Sequence, residues 1–232
     1  MEIRKATFDD LEQVRRWLRQ EKDDGHDSFI VNFDLIEAGQ ETGSLIVLVD
    51  EIPIAFALAD DMFWILAVKR DRRRSGVGRR LAEHWFQQAR ERDLIGFHGE
   101  CSPRESIGFW KKMGCQQVES PPGGGDAPWV AMPFRKKREL PVGMRTVPVC
   151  FEISSPGGAP APQWNFATQA AVIEPDDLML AEDFVAYVPE ADTRVVISVD
   201  NSEIGAVKVR DIEEFGGTRK CPWIRVRDLA LK

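Results

Sequence analysis

No apolar run in the chain approaches the roughly 20 residues that a helix needs to cross a bilayer. The opening residues, Met1 to Asp10, are charged and lack the apolar centre of a secretory signal. These two absences predict a cytoplasmic protein without a membrane partner. Histidine is scarce (His26, His84 and His98), and none of the cysteines Cys101, Cys115, Cys150 and Cys221 forms a Cys-x-x-Cys pair. Neither a zinc site nor a disulfide framework is signalled, so no metal is expected and the thiols read as reduced and partly buried. Tyrosine is scarcer still: Tyr187 stands alone among 232 residues, which leaves little phenol for acid–base work.

What is present suits a folded protein. A hydrophobic share of 43% beside 30% charged residues can bury a core in one large domain or two small ones. The formal net charge is -7, yet Val68 to Arg80 reads V-K-R-D-R-R-R-S-G-V-G-R-R, with Gly76 and Gly78 inside a basic run. Such a run raises the question of nucleic acid. The net acidity, and the lack of aromatics interleaved with the arginines, count against a nucleic-acid partner.

Periodicity divides the chain. Thr7 with Asp10 three residues on reads as a helix start, and Leu11, Val14, Trp17 and Leu18 then share one face. Residues 20–43 are polar and irregular, with a second short helix expected there. Leu45–Val49 and Ile54–Leu58 form a hairpin across Asp50–Pro53. Met62–Val68 reads as a third strand, apolar throughout and therefore expected at the centre of its sheet. Leu81, Trp85 and Ala89 mark an amphipathic helix that starts at the glycines. Leu94–Cys101 follows as a strand. A short helix opens at Pro103 and closes at Gly114, and two short strands come after it.

Residues 135–141 (R-K-K-R-E-L-P) read as a linker. From 142 to 232 the texture changes to short β-type runs between turn signals, which predicts a second, mainly β module that carries most of the surplus negative charge. The expected organisation is thus residues 1–134, a linker at 135–141, and a β module of unassigned role at 142–232.

A strand that ends in a glycine loop and leads into a helix makes an anion site. The first helical N–H groups lack intrahelical partners, and the helix dipole adds partial positive charge there. Arg73-Arg74-Ser75-Gly76-Val77-Gly78 is neither the P-loop nor the three-glycine dinucleotide pattern. It resembles the [RQ]-x-x-G-x-[GA] signature of the GNAT N-acetyltransferase superfamily. I-R-K-A-T-F-D-D-L is similar to that family's opening strand and helix. S-I-G-F-W-K-K-M-G-C-Q-Q-V is similar to its helix written A-x-x-F-Y-x-x-x-G-F, and the element order agrees. The resemblance covers about residues 1–134. It implies an α/β (α+β) fold, a mixed central sheet flanked by helices, and acetyl-CoA as co-substrate. By the same resemblance, main-chain groups of Ala67 and Val68 would pair with the pantetheine arm. The N–H groups of Arg73, Arg74, Ser75, Gly76, Val77, Gly78 and Arg79 would cradle the pyrophosphate. Arg70, Arg72 and Arg74 would either assist at the 3′-phosphate or stay as solvated charge.

Acetyl transfer to an amine requires deprotonation of an ammonium with a pKa of about 10 and a hydrogen-bond donor for the oxyanion, here the Val68 amide. The family often uses a tyrosine as acid, and Trp110 stands at that place beside the cofactor; an indole cannot serve, so water or Ser106 would substitute. The family's common base position falls on Met62, so nothing transfers. Asp61, His98 and Glu100 are the local candidates, with His98 and Glu100 on one strand face as a possible relay. Acceptor loops would be Glu21–Asp27 and Pro121–Pro128, the first acidic and suited to a cationic amine of a small molecule or peptide. The rival reading is a catalytically degenerate acyl-CoA-binding regulator whose β module is the effector. Residues 142–232 would bind a partner, cover the acceptor cleft or mediate homodimerisation.

Overall fold

The computed structural model describes residues 1–59, 64–121, 125–156, 161–174, 177–220 and 222–230, and the chain divides into two compact units, 1–94 and 95–232. Among the described residues, no helix is long and apolar enough to cross a membrane.

The first unit is a four-stranded antiparallel sheet in the order β1 (Glu2–Lys5), β2 (Leu45–Asp50), β3 (Ile52–Ala59), β4 (Trp64–Val68). Helix α1 (Phe8–Asp23) starts at a complete capping box: the Asp10 amide donates to Thr7 Oγ1, and the Thr7 amide donates to the Asp10 carboxylate. Leu11, Val14 and Leu18 from α1 and Ile36 from α2 (Phe33–Glu41) form one core with Val47, Phe56, Ile65 and Ala67. Helix α3 (Val77–Glu91) packs on β3 and β4 through Leu81, Trp85, Phe86 and Ala89, the face that the i, i+4 spacing marks. The β2–β3 turn is tighter than the sequence suggests, because Glu51 takes a positive φ of 66°.

Strand β4 departs from expectation. Its apolar character predicts a central place, but among the described residues it ends the sheet, with β3 as its sole neighbour. Ile65 and Ala67 belong to the core shared with α1, and α3 packs on the strand as well. Burial by helices produces the same continuous apolar run as flanking strands would.

The second unit begins with a three-stranded antiparallel sheet, β5 (Gly96–Glu100), β7 (Trp129–Pro133) and β6 (Gln116–Val118), with α4 (Ile107–Lys112) packed on β6 and β7. It continues as a seven-stranded sheet whose order is β12 (Ser202–Lys208), β11 (Arg194–Val199), β8 (Thr146–Ser154), β9 (Phe166–Glu174), β10 (Asp177–Tyr187), β14 (Trp223–Ala230), β13 (Gly217–Lys220). A 3-10 segment, Val209–Phe215, touches both end strands, β12 and β13. This unit therefore joins the last strands of the first sequence segment to the β module. Ala131 of β7 lies in one hydrophobic core with Phe151, Phe184, Val195 and Trp223, and Ile95 and Val118 pack against it. Residues 136–138 bond to 181–183 of β10, through Arg138 N–H to the Ala181 carbonyl and Asp183 N–H to the Lys136 carbonyl.

Strand β10 has no counterpart among the short β runs recognised in the sequence. Glu182 and Asp183 interrupt its apolar pattern, and they fall where the pairing with β14 shifts register between Met179 and Phe184. There the fully buried Asp183 carboxylate faces Arg227 at 3.4 Å and Arg225 at 3.6 Å.

Candidate cofactor loop and active-site residues

The loop begins at the free edge of β4. Lys69 N–H donates to the Ile54 carbonyl at 2.9 Å, and Ala67 lies opposite Phe56 and Ile65 opposite Leu58. Bonded and non-bonded pairs alternate along an antiparallel ladder. The main-chain groups of Ile65 and Ala67 are therefore turned to β3, and those of Leu66 and Val68 to the open edge. Of the two residues expected to meet an extended ligand arm, Ala67 turns its main-chain groups to β3, and Val68 turns its own away from β3, with its carbonyl accepting Arg73 Nε.

After Val68 a 3-10 turn, Arg70–Arg72, leads into the glycine loop. Arg74 and Gly76 both have positive φ, 62° and 86°, on either side of Ser75, whose hydroxyl donates to the Arg72 carbonyl. The first helical bond of α3 runs from the Arg80 amide to the Gly76 carbonyl, so the amides of Val77, Gly78 and Arg79 precede it. A side chain added at Gly76 would meet nothing within 4 Å. Positive φ residues beside a helix N-terminus turn amides to one side and form an anion-binding concavity.

The arginine side chains sort themselves. Arg72 pairs with Asp50 at 3.6 Å, Arg79 with Glu83 at 2.7 Å, and Arg80 donates to the Met1 carbonyl. Arg70 and Arg74 are exposed and make no ion pair among the described residues. Arg73 turns inward: its Nε donates to the Val68 carbonyl at 3.0 Å and its Nη2 to Glu21 at 3.2 Å.

The other expected residues lie in the second unit. Glu100, the last residue of β5, is exposed and pairs in register with Trp129. His98 is half-buried among Trp129, Tyr187 and Trp223, with ring centroids 5.5 to 6.3 Å away. Its Nδ1 accepts a hydrogen bond from the Trp223 indole at 3.1 Å, which puts the ring proton of the neutral form on Nε2. Burial holds His98 below the usual histidine range. No hydrogen bond joins His98 to Glu100 among the described residues, so the expected relay is absent as a direct contact. Ser106 precedes α4, and its buried hydroxyl lies beside the Cys101 thiol. Trp110 packs between Phe97 and Phe109, with centroids 5.0 and 4.9 Å apart. Burial pushes the Cys101 thiol up, and the Cys115 thiol to about 12, so both stay protonated. Asp61, Met62 and part of the Pro121–Pro128 loop lie outside the described residues, as does Cys221. Among the described residues no group of three or more His, Cys, Asp or Glu side chains is placed to hold a metal ion.

Two contributors escaped sequence reasoning. Glu21 sits in an acidic stretch that reads as acceptor-facing, yet its carboxylate holds the cofactor loop. Trp223 is 125 residues from His98, and no local pattern links them.

Residues 9–115 match the model of the Acetyltransferase (GNAT) family. This part of the chain is a GNAT acetyltransferase domain. Among solved structures the chain is similar to Ard1 from Thermoplasma volcanium, at 22% identity and a TM-score of 0.43, over 56% of this chain and 94% of that one. It is also similar to the ribosomal-protein-S18-alanine N-acetyltransferase from Escherichia coli, at 17% identity and a TM-score of 0.44, over 62% and 98%. An aminoglycoside 6′-N-acetyltransferase complexed with coenzyme A matches at 17% identity and a TM-score of 0.41, over 61% and 99%. Likeness at these identities and scores assigns no substrate. No curated protein matches the chain.

Proposed function

We propose that the protein transfers the acetyl group of acetyl-CoA to a primary amine, of a small molecule or a protein, by direct attack. The observation that carries this reading is the Arg74-Ser75-Gly76 turn opening α3, with its positive φ angles and the open space at Gly76. Acetyl-CoA supplies an activated thioester. The amides from Arg74 to Arg79 hold its pyrophosphate, Arg70 and Arg74 add charge for the remaining phosphate, and the outward main-chain groups of Leu66 hold the pantetheine arm as an added strand. The Val68 N–H stabilises the developing oxyanion. Glu100, an exposed carboxylate at the end of β5, takes the proton from the ammonium directly or through a water. The thiolate leaves with a thiol pKa of about 8.5, so a strong acid at Trp110 is dispensable. The catalytic part is residues 1–134.

Trp110 favours a second reading, a degenerate acyl-CoA-binding protein. One experiment separates the two. Coenzyme A binding is measured by calorimetry, and acetyl-CoA consumption is followed against a panel of small amines and peptides. Binding with turnover supports the transferase, binding without turnover the degenerate form, and no binding overturns both.

A further inference from the structure

Glu21 is a buried carboxylate of the first unit that bonds to the loop after β4. It lies in the last turn of α1, 7% exposed, on a helix whose neighbouring acidic residues Asp23 and Asp24 face solvent. Both of its carboxylate oxygens are used. Oε1 accepts the Arg70 main-chain N–H at 2.8 Å, and Oε2 accepts Arg73 Nη2 at 3.2 Å. Arg73 then reaches back through Nε to the Val68 carbonyl at 3.0 Å. One buried carboxylate thereby ties α1 to the first residue of the 3-10 turn, to the arginine after it, and through that arginine to the last residue of β4.

These contacts bracket the loop. Arg70 and Arg73 are the two ends of the segment that delivers the chain into the positive φ positions at Arg74 and Gly76. A backbone in those conformations is strained for Arg74 and conformationally free for Gly76, and something must hold it in place. The phosphate-binding amides themselves make no such restraint.

We propose that Glu21 is a positioning residue for the cofactor loop: through Arg70 and Arg73 it fixes the turn in its anion-binding form before the anion arrives. The proposal rests on the coenzyme A reading of that loop. It also gives Arg73 a role different from its neighbours. Its guanidinium braces the loop from within, and Arg70 and Arg74 keep theirs for the ligand. The Glu21 carboxylate acts through Arg70 and Arg73. Its main-chain carbonyl accepts the His26 amide at 2.9 Å and so also closes the turn that starts the acidic stretch 21–27.

The test is coenzyme A binding by calorimetry to the full chain and to Glu21→Gln, Glu21→Ala and Arg73→Met. Glu21→Gln keeps an oxygen for the Arg70 amide and removes the charge that holds Arg73; Glu21→Ala removes both. We expect Glu21→Ala to weaken binding roughly tenfold or more and Glu21→Gln to recover part of that loss. The double variant Glu21→Gln with Arg73→Met should bind no worse than Arg73→Met alone, since both break the same bridge. Amide exchange at residues 70–76 should quicken in each variant, a change that a general loss of packing would spread over all of α1. If the parent binds coenzyme A and both Glu21 variants bind equally well, the positioning role is overturned and the cofactor reading stands. If Glu21→Ala fails to fold, Glu21→Gln decides alone: unchanged affinity overturns the role, and weakened affinity with locally faster exchange supports it. A parent that does not bind coenzyme A overturns the cofactor reading instead.

Discussion

The Trp223 indole donates to His98 Nδ1 across 3.1 Å, and the same ring lies on Gly96, where an added Cβ would come within 2.7 Å of it. One residue of β14 thus reads two positions of β5, one by a hydrogen bond and one by surface. This has a pH consequence. The folded His98 titrates below its unfolded value of about 6.5, because burial disfavours its charged form. The unfolded chain therefore takes up a proton that the folded chain refuses, and stability falls as pH drops below about 6.5, levelling off only below the folded pKa. Urea unfolding midpoints between pH 8 and pH 5 should show this slope, and His98→Gln should flatten it. Trp223→Phe should lower stability at pH 8 by about 1 kcal/mol, the usual size of one hydrogen bond.

Gly96→Ala tests the surface contact. The methyl must displace a ring packed on the backbone, so we expect a loss of roughly 1–3 kcal/mol in unfolding free energy. Equal midpoints for parent and variant would show that the ring gives way freely.

Gly76→Glu tests the loop. The new side chain enters open space in an unfavourable backbone conformation and brings negative charge to the phosphate position. Coenzyme A affinity should fall by more than about tenfold, or 1.4 kcal/mol. Unchanged affinity would remove this loop as the pyrophosphate site.

Glu100→Gln tests the base. Turnover should fall roughly 100-fold or more, as for loss of a general base, with coenzyme A affinity preserved. Equal turnover would exclude Glu100 from the proton transfer.

The α1 start predicts acid sensitivity of its own. Burial pushes the Asp10 carboxyl up, but hydrogen bonds from Arg4 and Thr7 outweigh it and hold the group below its ordinary value. Stability from this cap is complete above the unfolded carboxylate range of about 3.9 and is lost as pH falls through the lower folded value. Thr7→Ala should cost about 1 kcal/mol at neutral pH, and Asp10→Asn should remove part of the acid-induced loss. Both are read from denaturant unfolding.

Legibility in the sequence followed the range of the interaction. Thr7 with Asp10, the Leu81–Trp85–Ala89 face and the glycines at 76 and 78 act within one or two turns of chain, and each reads correctly. The edge position of β4 did not, since helices and strands bury a strand alike. Strand β10 escaped because Glu182 and Asp183 interrupt its apolar pattern, and only distant arginines, Arg138, Arg225 and Arg227, explain a buried acid there. In the loop before α3, the helix start at the glycines was legible and the side chains that brace the loop were not. Glu21 and Arg73 are 52 residues apart, and acidity alone suggests solvent for Glu21.

The open edge of β4 has a further cost. Unpaired main-chain groups at a sheet edge are a template on which another chain can pair, which is how aggregation starts. Here the exposed strand is only five residues long. The Arg73 guanidinium occupies its last carbonyl, and a run of arginines follows directly. The charges beside the phosphate loop thus also act as gatekeepers against misassembly, so removing them to tune ligand affinity would be expected to reduce solubility as well.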